Sequence, residues 1–306
     1  MKTDSAFQIG KTHDICEDFT LTGSLKSTGD DAYYTIVSDG CSSSPNTDLG
    51  ARILSYSIAE EIKNIYNNSA NFMFSFNTDS CITRARTSLE ALKVSQESLD
   101  ATSLISYSVD NNTEVLVYGD GCVAIGFEDG RILVINFEFP NGFPFYLNYQ
   151  PEYSIRHGQW YKIQGQEYPC TITSSIINND GSFLELDKEC SPEFSFSANK
   201  KSVSIFVRQD HYGGRVYFHA GENTSLPKFM VSMSDGISLF YETEDKGTSL
   251  INSNIDYRNV INEVLNFKNF NGKFMQRRLN RFIKFCQNND WHHSDDISFS
   301  AIYFGE

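Results

Sequence analysis

Repeatedly in this chain a short run of strand-forming residues stops at an aspartate followed by glycine. Tyr33–Val37 runs into Ser38-Asp39-Gly40, Glu114–Tyr118 into Gly119-Asp120-Gly121, and Phe229–Met233 into Ser234-Asp235-Gly236. A glycine directly after the acid lets the backbone approach something closely. One Asp-Gly is ordinarily a turn; its recurrence at the ends of buried strands asks for a fold that gathers those ends. The first run also leads into a helix, with Leu49, Ile53, Ile58, Ile62 and Ile65 near one face and Thr47 or Asp48 placed to cap its first amides.

The rest of the chain alternates strand and helix blocks. Phe7–Ile9 and Phe19–Thr22 are strands around His13-Asp14-Ile15-Cys16-Glu17-Asp18, and Gly29-Asp30-Asp31 turns into the central strand. Helices are predicted over 47–66 and 79–98, the second carrying Ile82, Ala85, Leu89 and Leu92 on one stripe. Leu104–Val109, Glu114–Tyr118, Val123–Phe127 and Arg131–Phe137 are hairpin strands separated by Asn111-Asn112, Gly119-Asp120-Gly121 and Asp129-Gly130. Two more helices, 256–267 and 273–288, precede Asp295-Asp296 and an alternating strand, ISFSAIYF. Strand runs before and after helical pairs predict an α+β fold with antiparallel sheets. The chain reads as a single domain, 1–306, with an elaborated insertion at about 138–228. That insertion holds strand candidates Thr171–Ile177, Ser202–Arg208 and Arg215–His219, with Tyr212-Gly213-Gly214 before the last. Its tyrosines and phenylalanines suit contact with a protein surface, the alternative being that they extend the core.

Charge and cysteine usage narrow the class. The formal net charge of −14 over 306 residues disfavours nucleic acid and anionic membrane as partners. Seven cysteines, odd in number and never in CxxC, predict free thiols in a reducing compartment. There is no signal-like apolar stretch at the start and no run long enough to span a bilayer, so a cytoplasmic location is expected.

The acids at predicted strand ends are Glu17-Asp18, Asp39, Asp120, Asp235 and Asp295. Gathered on one edge, they would repel one another unless cations neutralised them. Oxygen ligands with few convergent histidines favour magnesium or manganese over zinc or copper. Two such ions can bind a phosphate ester and acidify a bridging water into a nucleophile.

In this order the acids resemble a family, the metal-dependent serine/threonine protein phosphatases of type 2C, and the chain looks like a divergent, bacterial-type member. Cys16-Glu17-Asp18 is similar to the family's Asn-Glu-Asp, and Val37-Ser38-Asp39-Gly40 to its Asp-Gly strand end. Asp100-Ala101-Thr102 stands at its Thr-rich strand start, Tyr118-Gly119-Asp120 at its Gly-Asp-Ser, Ser234-Asp235-Gly236 at its Ser-Asp-Gly, and Asp295-Asp296-Ile297-Ser298 at its Asp-Asp/Asn-x-Thr. The resemblance implies a four-layer α-β-β-α sandwich, two central antiparallel sheets flanked by helices. It implies a hydrolase of phosphate monoesters, a signalling phosphoserine/phosphothreonine phosphatase that acts on phosphoproteins with a metal-bridged water as nucleophile. It further implies two manganese or magnesium ions: Asp39 bridging both, Asp235 and Asp295 on the first, Glu17 and the Gly40 carbonyl on the second, and Asp18 orienting coordinated water.

The chain departs from that pattern at several positions. His13 stands where the family has a phosphate-binding arginine, so phosphate capture is weaker, pH-dependent or shared with Lys11 or Arg52 unless His13 only packs there. Cys41 follows Asp39-Gly40 where some relatives carry a histidine. Asp120 matches one ligand of a third metal, but Leu239 replaces the other. Cys16 is expected to pack in the core, Asp296 to point away from the site, and His292 and His293 to lie at the surface, with at most one reaching in. The alternative to an enzyme is a catalytically weak, phosphatase-like regulatory or binding module.

Overall fold

The computed structural model describes residues 1–26, 31–68, 76–109, 112–139, 142–150, 158–160, 162, 170–186, 193–198, 201–210, 213–219, 227–245 and 250–305. The turns predicted at 29–31, 111–112 and 212–214 therefore fall wholly or partly outside the described residues.

Two seven-stranded antiparallel sheets form the centre. In the first, β1 (Lys2–Gln8) pairs with β17 (Ile297–Tyr303), followed by β13 (Phe229–Met233), β6 (Gly121–Gly126), β7 (Ile132–Glu138), β8 (Thr171–Ile177) and β9 (Phe183–Leu186). The second runs β10 (Glu193–Ala198), β11 (Lys201–Asp210), β12 (Gly213–His219), β5 (Asn112–Tyr118), β4 (Ser103–Val109), β3 (Ala32–Ser38) and β2 (Phe19–Leu25). The strands predicted across 104–137 lie within one or two residues of these bounds. Those of 171–219 add to the outer edges of both sheets.

Side-chain alternation sorts the core into three layers. Val37, Leu104, Val115 and Val117 meet Val123, Ile125, Leu133, Ile135 and Ile302 between the sheets. The other face of the second sheet, with Ile36, Ile105 and Leu116, packs on Leu54, Ile58 and Ile62 of α1 (Thr47–Asn68) and on Ile82, Ala85 and Leu89 of α2 (Thr78–Leu92). Outside the first sheet, Ala124, Val231 and Phe299 pack on Val260 and Val264 of α3 (Tyr257–Val264) and on Phe274, Leu279 and Phe282 of α4 (Phe274–Asn288). The order is helix, sheet, sheet, helix, as the resemblance implied. The first turn of α4 has no cap on its own element; Asp4 of β1 accepts from the Met275 N–H at 2.6 Å and ties helix to sheet.

One feature was not predicted, and one choice left open is decided in part. A third, three-stranded sheet joins β15 (Leu250–Asn254), β14 (Phe240–Asp245) and β16 (Trp291–His293). The aromatics of 139–160 that the structure describes are mostly core: Phe139, Phe145, Tyr146, Tyr149 and Trp160 are buried, with Phe145 and Trp160 edge-to-face at 4.9 Å. For these residues the core alternative holds, and the contact-surface expectation does not. Truncating such a ring removes both its transfer free energy and its packing. Phe145→Ala is expected to lower stability by about 3–5 kcal/mol in denaturant titration; a loss below about 1 kcal/mol would place the ring outside the core.

Candidate active site

Antiparallel pairing brings the ends of β3, β5, β13 and the start of β17 to one end of the sandwich, and the acids come with them. Asp39 follows directly on β3, and its backbone is fixed from a neighbouring segment. Thr102 Oγ1 accepts from the Asp39 N–H at 3.2 Å, and the Thr102 N–H donates to the Asp39 carbonyl at 2.8 Å. Gly40 forms an isolated bridge with Ala101, and a Cβ there would meet the Thr47 Cβ at 2.8 Å and the Glu17 carbonyl at 3.1 Å. Only glycine lets Glu17 and the α1 start come this near. The Glu17 carboxylate accepts from Ser42 and Thr47 hydroxyls, both at 2.7 Å. Thr47, predicted as a possible helix cap, is the first residue of α1 and donates its hydroxyl to this acid.

Asp18 is fully buried between the two sheets. Its Oδ2 accepts from Ser234 Oγ at 2.8 Å, while Oδ1 has no partner. Burial, and then the charges of Asp18 and Asp235, push Asp39 well above the usual carboxylate range; Asp18, its coupled neighbour, is also raised, by burial above all. Burial and the charge of Asp235 raise Asp120 to about 8. The same two causes, in that order, raise Asp295. Asp39, Asp120 and Asp295 thus feel the charge of Asp235, and His13 reaches Asp295. Among the described residues no three His, Cys, Asp or Glu side chains already converge as a ligand cluster. The donors are nonetheless hard oxygens, one of them buried without a partner, and this set suits a divalent cation such as magnesium or manganese.

His13 lies 3.4 Å from Asp295 Oδ1 through Nε2 and 3.2 Å from Asp296 Oδ1 through Nδ1, which has no aligned hydrogen-bond partner. Burial pulls the imidazole down, but Asp296, Asp295 and Glu17 outweigh it and the net shift is upward. Of the two proposed helpers, Lys11 is exposed and the Arg52 guanidinium sits 5.0 Å over the Phe19 ring.

Sequence reasoning missed the residue that holds the site loop. Asp296, expected to point elsewhere, is buried, and its two oxygens accept from the Gly10 and Glu17 N–H groups, each at 2.6 Å. Its carboxylate therefore staples the 9–18 loop to the β17 start. Opposite it, Gly236 packs so closely that a Cβ would lie 1.9 Å from the Asp296 carbonyl. Cys16 is not on a strand: its thiol points at the Asp18 carbonyl, 3.7 Å away, and is half-buried. His293 does reach inward, with Nδ1 2.8 Å from the Asp295 carbonyl and the ring against Phe240. Leu239 is exposed.

Comparisons with known proteins point the same way. The sequence matches the family model described as Protein phosphatase 2C over residues 11–284. No curated protein sequence matches. Among solved structures, the serine-threonine phosphatase 2C of Toxoplasma gondii is similar at a TM-score of 0.50 and 11% identity, over 99% of this chain and 94% of that one; at that identity the likeness is one of fold. A serine/threonine phosphatase of S. agalactiae matches at 0.48 and 12%, over 99% of each chain. The phosphatase Stp1 of Staphylococcus aureus matches at 0.47 and 10%, over 100% and 95%.

Two outcomes follow from the geometry. In Asp296→Asn one N–H of the staple would face an amide instead of an oxygen. The expected cost is about 1.5–3 kcal/mol in denaturant titration, and a change under about 0.5 kcal/mol would contradict the staple. The raised acids give a signed pH dependence. Each keeps its proton to higher pH folded than unfolded, so without divalent ions stability is full below about pH 4 and falls as pH rises toward 8. Melting temperature of chelated protein should decline across that range, and less steeply in Asp39→Asn; a flat profile in both would mean the acids are not in fact crowded.

Proposed function

The chain belongs to the protein phosphatase 2C family, and from that premise we propose that it is a phosphoserine/phosphothreonine protein phosphatase dependent on manganese or magnesium. The observation that carries the reading is the knot of buried and half-buried carboxylates at one end of two sheets, with an orphaned Asp18 oxygen at its base. Asp39, Asp235 and Asp295 would hold one ion, and Asp39, Glu17 and the Gly40 carbonyl a second. Asp120 is available to a third, whose other acid is replaced by Leu239. When bound, the ions supply Lewis acidity toward a phosphate ester and a water acidified enough to act as nucleophile.

The chain's own residues do the positioning. Asp18, fixed through Oδ2 by Ser234, presents Oδ1 as an acceptor that orients a water from beneath. Thr47 and Ser42 aim Glu17, and Thr102 fixes the Asp39 backbone, so neither acid needs to reorganise when substrate arrives. His13 supplies positive charge beside Asp295 while it is protonated, a state its neighbouring acids favour.

Hydrolysis of p-nitrophenyl phosphate should appear with manganese and vanish on chelation. Asp39→Asn should remove it while leaving a cooperative melt; retention of more than about a tenth of kcat would contradict the two-ion reading. His13 gives a specific ground for a second reading, a catalytically weak phosphatase-like binding module, because the fixed bidentate cation for phosphate is missing. If His13 captures phosphate, KM rises as pH climbs through its pKa, and His13→Arg lowers KM near neutral pH and flattens the profile. Unchanged profiles in His13→Arg and His13→Ala would leave the residue to packing.

A further inference from the structure

Where the catalytic end meets one side of the sandwich, the surface carries a row of aromatic rings. β1 is the outer strand of the first sheet and β2 that of the second, so these two strands close that side. Phe19 opens β2 directly after Asp18 and pairs with Ser38, the residue before Asp39. Phe7 lies on β1 opposite Ser298, two residues beyond Asp296. The two rings approach across the sheet edges at 6.2 Å, and Tyr56 of α1 continues the row at 6.0 Å from Phe19. Phe19 is half-buried against the helix layer, but Phe7 stays 37% exposed and Tyr56 57%. Core packing accounts for the first ring; the other two form a joined apolar surface.

A cation is built into this row. The Arg52 guanidinium lies 5.0 Å over the Phe19 ring and is half-buried. Residues four apart share a helix face, so Arg52 stands one turn before Tyr56. Asp48, a turn earlier still, makes no ion pair with it, and among the described residues no other carboxylate does. A guanidinium laid flat on a ring keeps its N–H donors in its own plane, directed past the ring edge. The helix also sets the spacing from the acid knot. Thr47, the first residue of α1, donates to Glu17, and Arg52 follows five residues later, about 7.5 Å by helical rise. An extended peptide covers that distance in about two or three residues. Tyr56 lies about 6 Å farther, or about two residues more.

Charge and spacing select the occupant. Nucleic acid and anionic membrane call for a field of cations, whereas this row presents Arg52 on a chain of net charge −14. A peptide running from the acid knot along α1 first meets Arg52, which pairs with a carboxylate. It then meets the exposed Tyr56 ring, which suits an apolar side chain. We propose that this row docks the substrate segment beside the phosphorylated residue, reading an acidic residue two or three positions away and an apolar one about two positions beyond it. The inference rests on the phosphatase reading for what sits at the acid knot.

The test uses phosphoserine peptides carrying glutamate, alanine or lysine at each nearby position, with manganese present. At one position, two or three residues from the phosphoserine, glutamate should raise kcat/KM about fivefold over alanine, and lysine should lower it. Arg52→Glu should reverse that order, a result that poor folding does not imitate. Tyr56→Ala should raise KM for the peptides about fivefold at similar kcat, while p-nitrophenyl phosphate hydrolysis stays within about twofold. Fluorescence anisotropy of the same peptides, labelled, reads binding apart from turnover. Turnover indifferent to charge at every position, in wild type and in Arg52→Glu, overturns the docking row and leaves the phosphatase reading standing. Absence of turnover, with glutamate peptides bound more tightly than lysine peptides by wild type and less tightly by Arg52→Glu, overturns the reading and keeps the row. Absence of both overturns both. A wild-type dimer in sedimentation that Tyr56→Ala disperses would make the row a contact between copies of this chain and overturn substrate docking.

Discussion

Mutual repulsion among Asp18, Asp39, Asp120, Asp235 and Asp295 is the constraint on which the rest of the structure depends. Each would be unremarkable alone at the end of a strand. Together, Asp18, Asp39, Asp120 and Asp295 are pushed toward their protonated forms, first by burial and then by neighbouring acidic charges, Asp235 among them for the last three. A fold holds such a group together only if the packing behind it is stronger than the repulsion within it. Three apolar layers supply that packing, and the site occupies the end where they stop.

What converts crowding into geometry is a set of hydrogen bonds from residues that are not candidates for metal. Asp296 staples the loop bearing His13 and Glu17 to the last strand. Ser234 joins Asp18 to the β13 end and itself accepts from the Ser298 N–H at 3.0 Å. Thr102 fixes Asp39. The two sheets are thereby tied across the site by neutral or singly charged contacts, and the acids are left with unsatisfied affinity for cations.

Much of the fold was legible because its signals are local. Short apolar runs between turn signals marked β3 to β7, alternation marked β17, helical spacing marked α1 and α2, and the Asp-Gly recurrence marked the strand ends that converge. What was illegible depended on long-range register. Asp295 and Asp296 are adjacent and chemically alike; which one enters the apolar interior is decided by N–H groups of Gly10 and Glu17 more than two hundred residues away. Thr47 offered a local option, capping; its donation to Glu17 depends on a contact thirty residues away in sequence. The aromatics of 139–160 were read as a surface because Tyr and Phe crowd an insertion; burial there comes from packing with β6 and β7, which no spacing within the segment records. The strand Phe240–Asp245 carries three acids in six residues, a composition that hides its pairing.

The central claim is that Asp39 and the buried acids around it favour protons more than ordinary carboxylates do, and that a divalent cation displaces those protons. Calorimetry of manganese binding at pH 7, repeated in buffers of different ionisation enthalpy, measures that displacement directly. The account predicts saturable binding of two ions with net release of about one proton or more, and loss of both the binding and the release in Asp39→Asn. Binding with no proton exchange, or no binding at all, would contradict it.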